Sequence, residues 1–105
     1  MSLSSKQIKQ FRAIGHHLNP VVIISSALSE NVSAEILRAL KDHELIKVRI
    51  NAAERSEKQA LAKQICASSH AELIQMIGNI ALIYRAAKNP NPKLSNLLRH
   101  QIAAN

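Results

Sequence analysis

Large aromatic side chains are almost missing from this chain: one Phe, one Tyr and no Trp among 105 residues. Surfaces that hold nucleotides by stacking bases on rings need several such residues, so stacking is excluded as the main mode of recognition. Cys66 is the single cysteine. An internal disulfide is therefore excluded, and a reducing, cytoplasmic setting is expected. No apolar run approaches the ~20 residues of a membrane span, so no membrane partner is expected. MSLSSKQIK has no apolar stretch behind its charges, as a secretory leader would. HExxH, the Walker loop and GxSxG are all absent, which removes three common enzyme signatures. His16-His17 has no metal-ligand company at helical spacing, and threonine does not occur. The serines sit where helix caps are expected, with their hydrogen-bonding capacity already used. A non-enzyme is expected, without metal, cofactor or small-molecule substrate.

Acid is the other scarcity. Fourteen Lys and Arg stand against seven Asp and Glu, a net charge of +7. On a small domain this balance favours a polyanionic partner, nucleic acid above all, because neutralised phosphates release their counterions. A protein–protein interaction module without direct RNA contact is the alternative. Binding that collapses with salt would separate the first reading from the second.

The centre of the chain is the stretch Asn19 to Asn51. Pro20 ends what precedes it, and the β-branched run Val21 to Ile24 predicts a strand buried on both faces. Ser29 or Asn31 caps a helix whose Val32, Ile36, Ala39, Leu40 and His43 share one side. In Leu45 to Asn51 the period falls to two, with Ile46, Val48 and Ile50 facing one way and Lys47 and Arg49 the other. Strand, helix and strand of these lengths predict a right-handed crossover between parallel strands.

Around this unit, Ser4 or Ser5 opens a first helix that runs to about Gly15. Ile8, Phe11 and Ile14 form its apolar stripe, and Lys6, Lys9 and Arg12 form a basic one at spacing three. Gly15 is expected as the left-handed residue that ends this helix. A third helix is expected to start at a capping box, Asn51 with Glu54 or Ser56 with Gln59. It should turn Ala60, Leu61, Ile65 and Ala67 inward and Lys58 and Lys63 outward, with Cys66 as a small core residue. Ala71 to Ile77 and Ile80 to Arg85 predict a hairpin closed by Gly78-Asn79, with Tyr84 exposed at its end. Residues 86–105, a basic tail containing KNPNPK, are expected to be mobile or weakly docked, with Leu94, Leu97, Leu98 and Ile102 able to form one short helix. The order is α-β-α-β-α-β-β. It predicts a single-domain α/β sandwich with a four-stranded mixed sheet.

Three blocks, LSSKQIKQFRAIGHHLNPVVI, LSENVSAEILRALKDHELIKVRI and MIGNIALIYR, resemble the CRM domain (chloroplast RNA splicing and ribosome maturation), in its stand-alone bacterial YhbY-type form. The resemblance covers Leu3 to Arg85, so residues 1–85 form the domain. It implies a fold similar to the C-terminal domain of translation initiation factor three. It also implies a non-catalytic, RNA-binding role on ribosomal RNA precursors, assisting assembly of the large ribosomal subunit. The family's G-x-x-G loop, likened to the loop by which KH domains clamp nucleotide backbone, is replaced here by Ser25-Ser26-Ala27. Without glycine the backbone loses its easy positive φ and close approach. The weight of the expected site therefore falls on the basic positions that match the family: Lys6, Arg12, Lys47 and Arg85. Lys9 and Arg49 share their faces, and the hydroxyls of Ser25 and Ser26 are in reach of phosphate.

Overall fold

The computed structural model describes residues 3–25 and 28–99. Its elements are α1 (Ser5–Gly15), β1 (Pro20–Ile24), α2 (Glu30–His43), β2 (Leu45–Ile50), α3 (Arg55–Ser69), β3 (Glu72–Ile77) and β4 (Ile80–Tyr84). The sheet order is β1-β2-β4-β3. β1 runs parallel to β2, while β4 lies antiparallel to both β2 and β3. The expected α/β fold with a four-stranded mixed sheet is the observed one.

Local chemistry sets the boundaries. Ser4 Oγ accepts from the Gln7 amide at 3.1 Å while Gln7 Oε1 accepts from the Ser4 amide at 3.0 Å, a reciprocal box that satisfies two free donors of α1. Ser29 caps α2 by accepting from the Val32 amide. α3 begins differently from expectation: its N-cap is Glu54, with no side-chain bond to the helix. Gly78 takes φ +57° at the hairpin turn, where a Cβ would be costly.

Two clusters hold the sheet. On one face α2 and α3 bury Val22, Ile24, Ile46, Val48, Ile50, Ala81 and Ile83. On the other face Phe11 of α1 packs with Leu45, Ile74, Leu82 and Leu97. Tyr84 is half-buried against Phe11, ring centroids 4.7 Å apart, rather than exposed. α3 turns Leu61, Ala62, Ile65 and Ser69 inward. Ala60 and Ala67 face solvent and Lys58 is half-buried. Alanine, equally at home on either side, misplaced the phase of this helix.

β1 also departs from expectation. Only Val22 and Ile24 are buried, whereas Val21 and Ile23 are exposed. β1 is an edge strand, and α1 lies over the opposite part of the sheet, against β2 and β3.

The segment after β4 is docked. Glu44, at the end of α2, takes φ +63° and ψ −48°, a conformation costing ~1–3 kcal/mol for a residue with a Cβ. Its buried carboxylate accepts from the Ala87 amide at 2.8 Å and from Ser95 Oγ at 2.6 Å. Asn96 Nδ2 donates to the Leu45 carbonyl at 2.7 Å. His43 Nδ1 lies 2.8 Å from the Leu94 carbonyl. A helical turn starts at residue 96, capped by Ser95, and Leu97 enters the second cluster. Hydrogen bonds to a charged group contribute about 1.5–3 kcal/mol each, enough to offset the strain at Glu44. Ile102 lies outside the described residues.

Candidate nucleic-acid interface

The basic stripe of α1 forms as its spacing dictates: Lys6, Lys9 and Arg12 are all exposed, with Phe11 turned into the core behind them. What spacing could not give is where this stripe ends. α1 does not stop at a left-handed glycine. It runs through Gly15, which is buried, and the cap is His16 in the right-handed helical region. A Cβ placed on Gly15 would lie 2.6 Å from Leu82 Cδ2 and 2.9 Å from Leu82 Cδ1. The missing side chain is therefore what lets the last turn of α1 rest on β4.

That contact sets the end of α1 beside residues of β2 and β3. Arg12 and His16 of α1, Lys47 of β2 and Gln75 of β3 line one groove of about 380 Å³, floored by Gly15, Leu82, Ile77 and Ile80. Lys47 is half-buried and Arg49 exposed. Both project from β2 on the α1 side, since Val48 and Ile50 on the same strand enter the opposite cluster. Arg49 Nε donates to Asn51 Oδ1 at 3.3 Å, which restrains the guanidinium at the end of the strand.

The remaining predicted residues divide. Ser25 directly follows β1 and is exposed, while Ser26 lies outside the described residues. Arg85 does not join the α1 groove. It lines a separate one of about 820 Å³ with Arg38, Lys41 and Lys88, beside Asp42. One wall of that groove is the docked segment from Ala86 to Asn89. Sequence alone does not single out Arg38, Lys41 and Lys88: the first two lie on α2, on a face that reads as ordinary solvated charge, and Lys88 lies in the segment after β4. Cys66 packs against the α2/α3 core, and burial pushes its thiol up to about 11. It is a partly buried residue at the margin of that core, where burial disfavours the thiolate.

The arrangement offers cations at helix and strand positions around a shallow trough, a surface that can meet phosphates. The chain belongs to the CRS1 / YhbY (CRM) domain family, whose profile matches residues 3–85. It is 51% identical over 100 residues to a probable RNA-binding protein of Pseudomonas aeruginosa, covering 94% of this chain and 96% of that one. It is 40% identical over 94 residues to an RNA-binding protein of Haemophilus influenzae, covering 89% and 95%. The fold matches the solution structure of a hypothetical protein of Staphylococcus aureus put forward as RNA-binding. That match has a TM-score of 0.75 and 30% identity, over 90% of this chain and 98% of that one.

Proposed function

We propose that this protein binds RNA through the groove between the end of α1 and the sheet, without catalysing a reaction. The observation that carries the reading is the convergence of Arg12 and Lys47 on one trough, from elements separated by most of the βαβ unit. Lys6 and Lys9 extend the positive surface along α1, and Arg49 extends it along β2. Each neutralised phosphate releases counterions and adds a sequence-independent increment of affinity. The names of the relatives support the same partner.

The finer reading is that the RNA is a ribosomal RNA precursor and that binding assists large-subunit assembly in the cytoplasm. The RNA target and the assembly role rest on the resemblance to the CRM family, and the cytoplasmic setting on the single cysteine. Crosslinking the protein to RNA in cells and sequencing the attached fragments tests it. Enrichment of large-subunit precursor RNA is the expected result; fragments spread over messenger RNA in proportion to abundance would contradict it.

A further inference from the structure

The α1 side of the sheet carries a bare strip. Strand pairing sets Ile23 beside Arg49, Arg49 beside Ile80, and Ile80 beside Ile77. These four residues form one row across all four strands, about 14 Å long at the usual ~4.8 Å between strands. All four point the same way, because their sequence neighbours Val22, Ile24, Val48, Ile50, Met76 and Ala81 face the α2/α3 cluster. Ile23 is 60% exposed, Ile77 64% and the adjoining Val21 47%. Ile80 between them is half-buried; large aliphatic side chains exposed at both ends of one row, with Val21 next to Ile23, mark a binding surface. The row borders the groove of Arg12 and Lys47, and Ile77 and Ile80 line both. The loop after β1 begins at the same end as Arg49, since the Asn51 amide donates to the Ile24 carbonyl.

We infer that this row seats the unpaired bases of single-stranded RNA. The ligand must be apolar along one line and anionic beside it. A duplex turns its bases inward and presents sugar and phosphate, whereas a single strand offers base faces and phosphates together. Bases lie on the aliphatic side chains of Ile23, Ile80 and Ile77 in place of the aromatic rings that this chain lacks. The Arg49 guanidinium, a planar cation set between them, stacks on a base face. Lys47 and Arg12 hold the flanking phosphates. The inference rests on the proposed RNA-binding role and specifies the structural class of RNA.

Three probes test it by fluorescence anisotropy: a 12-nucleotide single strand, the same strand annealed to its complement, and a 12-nucleotide abasic strand with the same phosphates. The wild-type protein should bind the single strand at least about 10-fold more tightly than either other probe, from base contacts alone. The double variant Ile23→Ser/Ile77→Ser should lose most of that preference, Ile80 and Arg49 being left in place, with the salt slope unchanged because no phosphate contact is removed; a preference as large as that of the wild type overturns the inference. Both positions are exposed, so the fold should survive; the circular dichroism spectrum and melting curve verify it. Equal affinity of the wild type for all three probes, with a steep salt slope, overturns the inference and leaves RNA binding standing. Absence of binding to every probe overturns both. If the double variant keeps the single-strand preference but shifts a dimer to monomer in sedimentation, the strip joins copies of the chain and the inference fails.

Discussion

Gly15 and Leu82 touch so closely that no other residue fits at position 15 without displacing its neighbour, a Cβ there falling 2.6 Å from Leu82 Cδ2. Leu82 is buried, so its methyl groups have little room to move. Overpacking of this kind costs about 1–3 kcal/mol, against at most ~1 kcal/mol gained by removing a helical glycine. The clash should win. Gly15→Ala is expected to lower stability by about 1 kcal/mol in urea denaturation. It should also weaken RNA binding, because the end of α1 carries Arg12 and His16 to the groove. A variant as stable as the wild type would show that α1 is seated by its other contacts.

Ser95→Ala tests the docking of the C-terminal segment. It removes the donor to the buried Glu44 Oε1, and the contribution at stake is about 1.5–3 kcal/mol. In a domain of this size that lowers the melting temperature by roughly 5–15 °C. A shift below about 2 °C would mean that residues 86–99 hold their place without this bond.

Alkaline pH should weaken the fold. Burial raises Cys66 from 9.0 to about 11. Tyr84 is raised by burial first and then by the Glu44 and Glu72 carboxylates. Both groups are neutral when protonated. As pH climbs from 9 towards 11 the unfolded chain loses its Cys66 proton before the folded one does, and Tyr84 acts in the same direction. The unfolded state then binds fewer protons, and stability falls with pH. Cys66→Ala should flatten the decline, lower stability at pH 7 by about 1 kcal/mol and leave RNA affinity unchanged. A decline of the same steepness in the variant would remove the thiol from the explanation.

Arg85 sits in the groove of Arg38 and Lys41, away from Arg12 and Lys47. Arg85→Ala should therefore weaken binding of a 12-nucleotide RNA less than Arg12→Ala does. Equal losses in parallel titrations would place both grooves on one RNA path.

Much of this architecture was legible in the sequence. The change of period between Leu40 and Ile50, the Ser4 and Ser29 caps and the Gly78-Asn79 turn announce α1, α2, β2 and the hairpin of β3 and β4, while the start of α3 at Glu54 carries no capping signal. Their signals are local, within a few residues. What escaped notice depends on distant partners. Ser95 and Asn96 are polar letters in a Pro/Asn-rich stretch, and their bonds reach Glu44 and Leu45, 51 residues away. The run Val21 to Ile24 is the same whether a strand is central or at the edge, so the exposure of Val21 and Ile23 was hidden. The cations were readable as a list. Their division into two grooves depended on how closely α1 packs at Gly15, which spacing alone does not specify.

The most direct measurement is RNA affinity against salt for the wild type and for Arg12→Ala/Lys47→Ala, by filter binding with folding verified by circular dichroism. If four to six cations meet phosphates, log affinity should fall with log salt at a slope of roughly −3 to −5, about −0.7 to −0.9 per contact. The double variant should bind every RNA more weakly and show a slope shallower by roughly 1.4 to 1.8. A folded double variant with unchanged affinity and slope would remove the α1 groove as the RNA site.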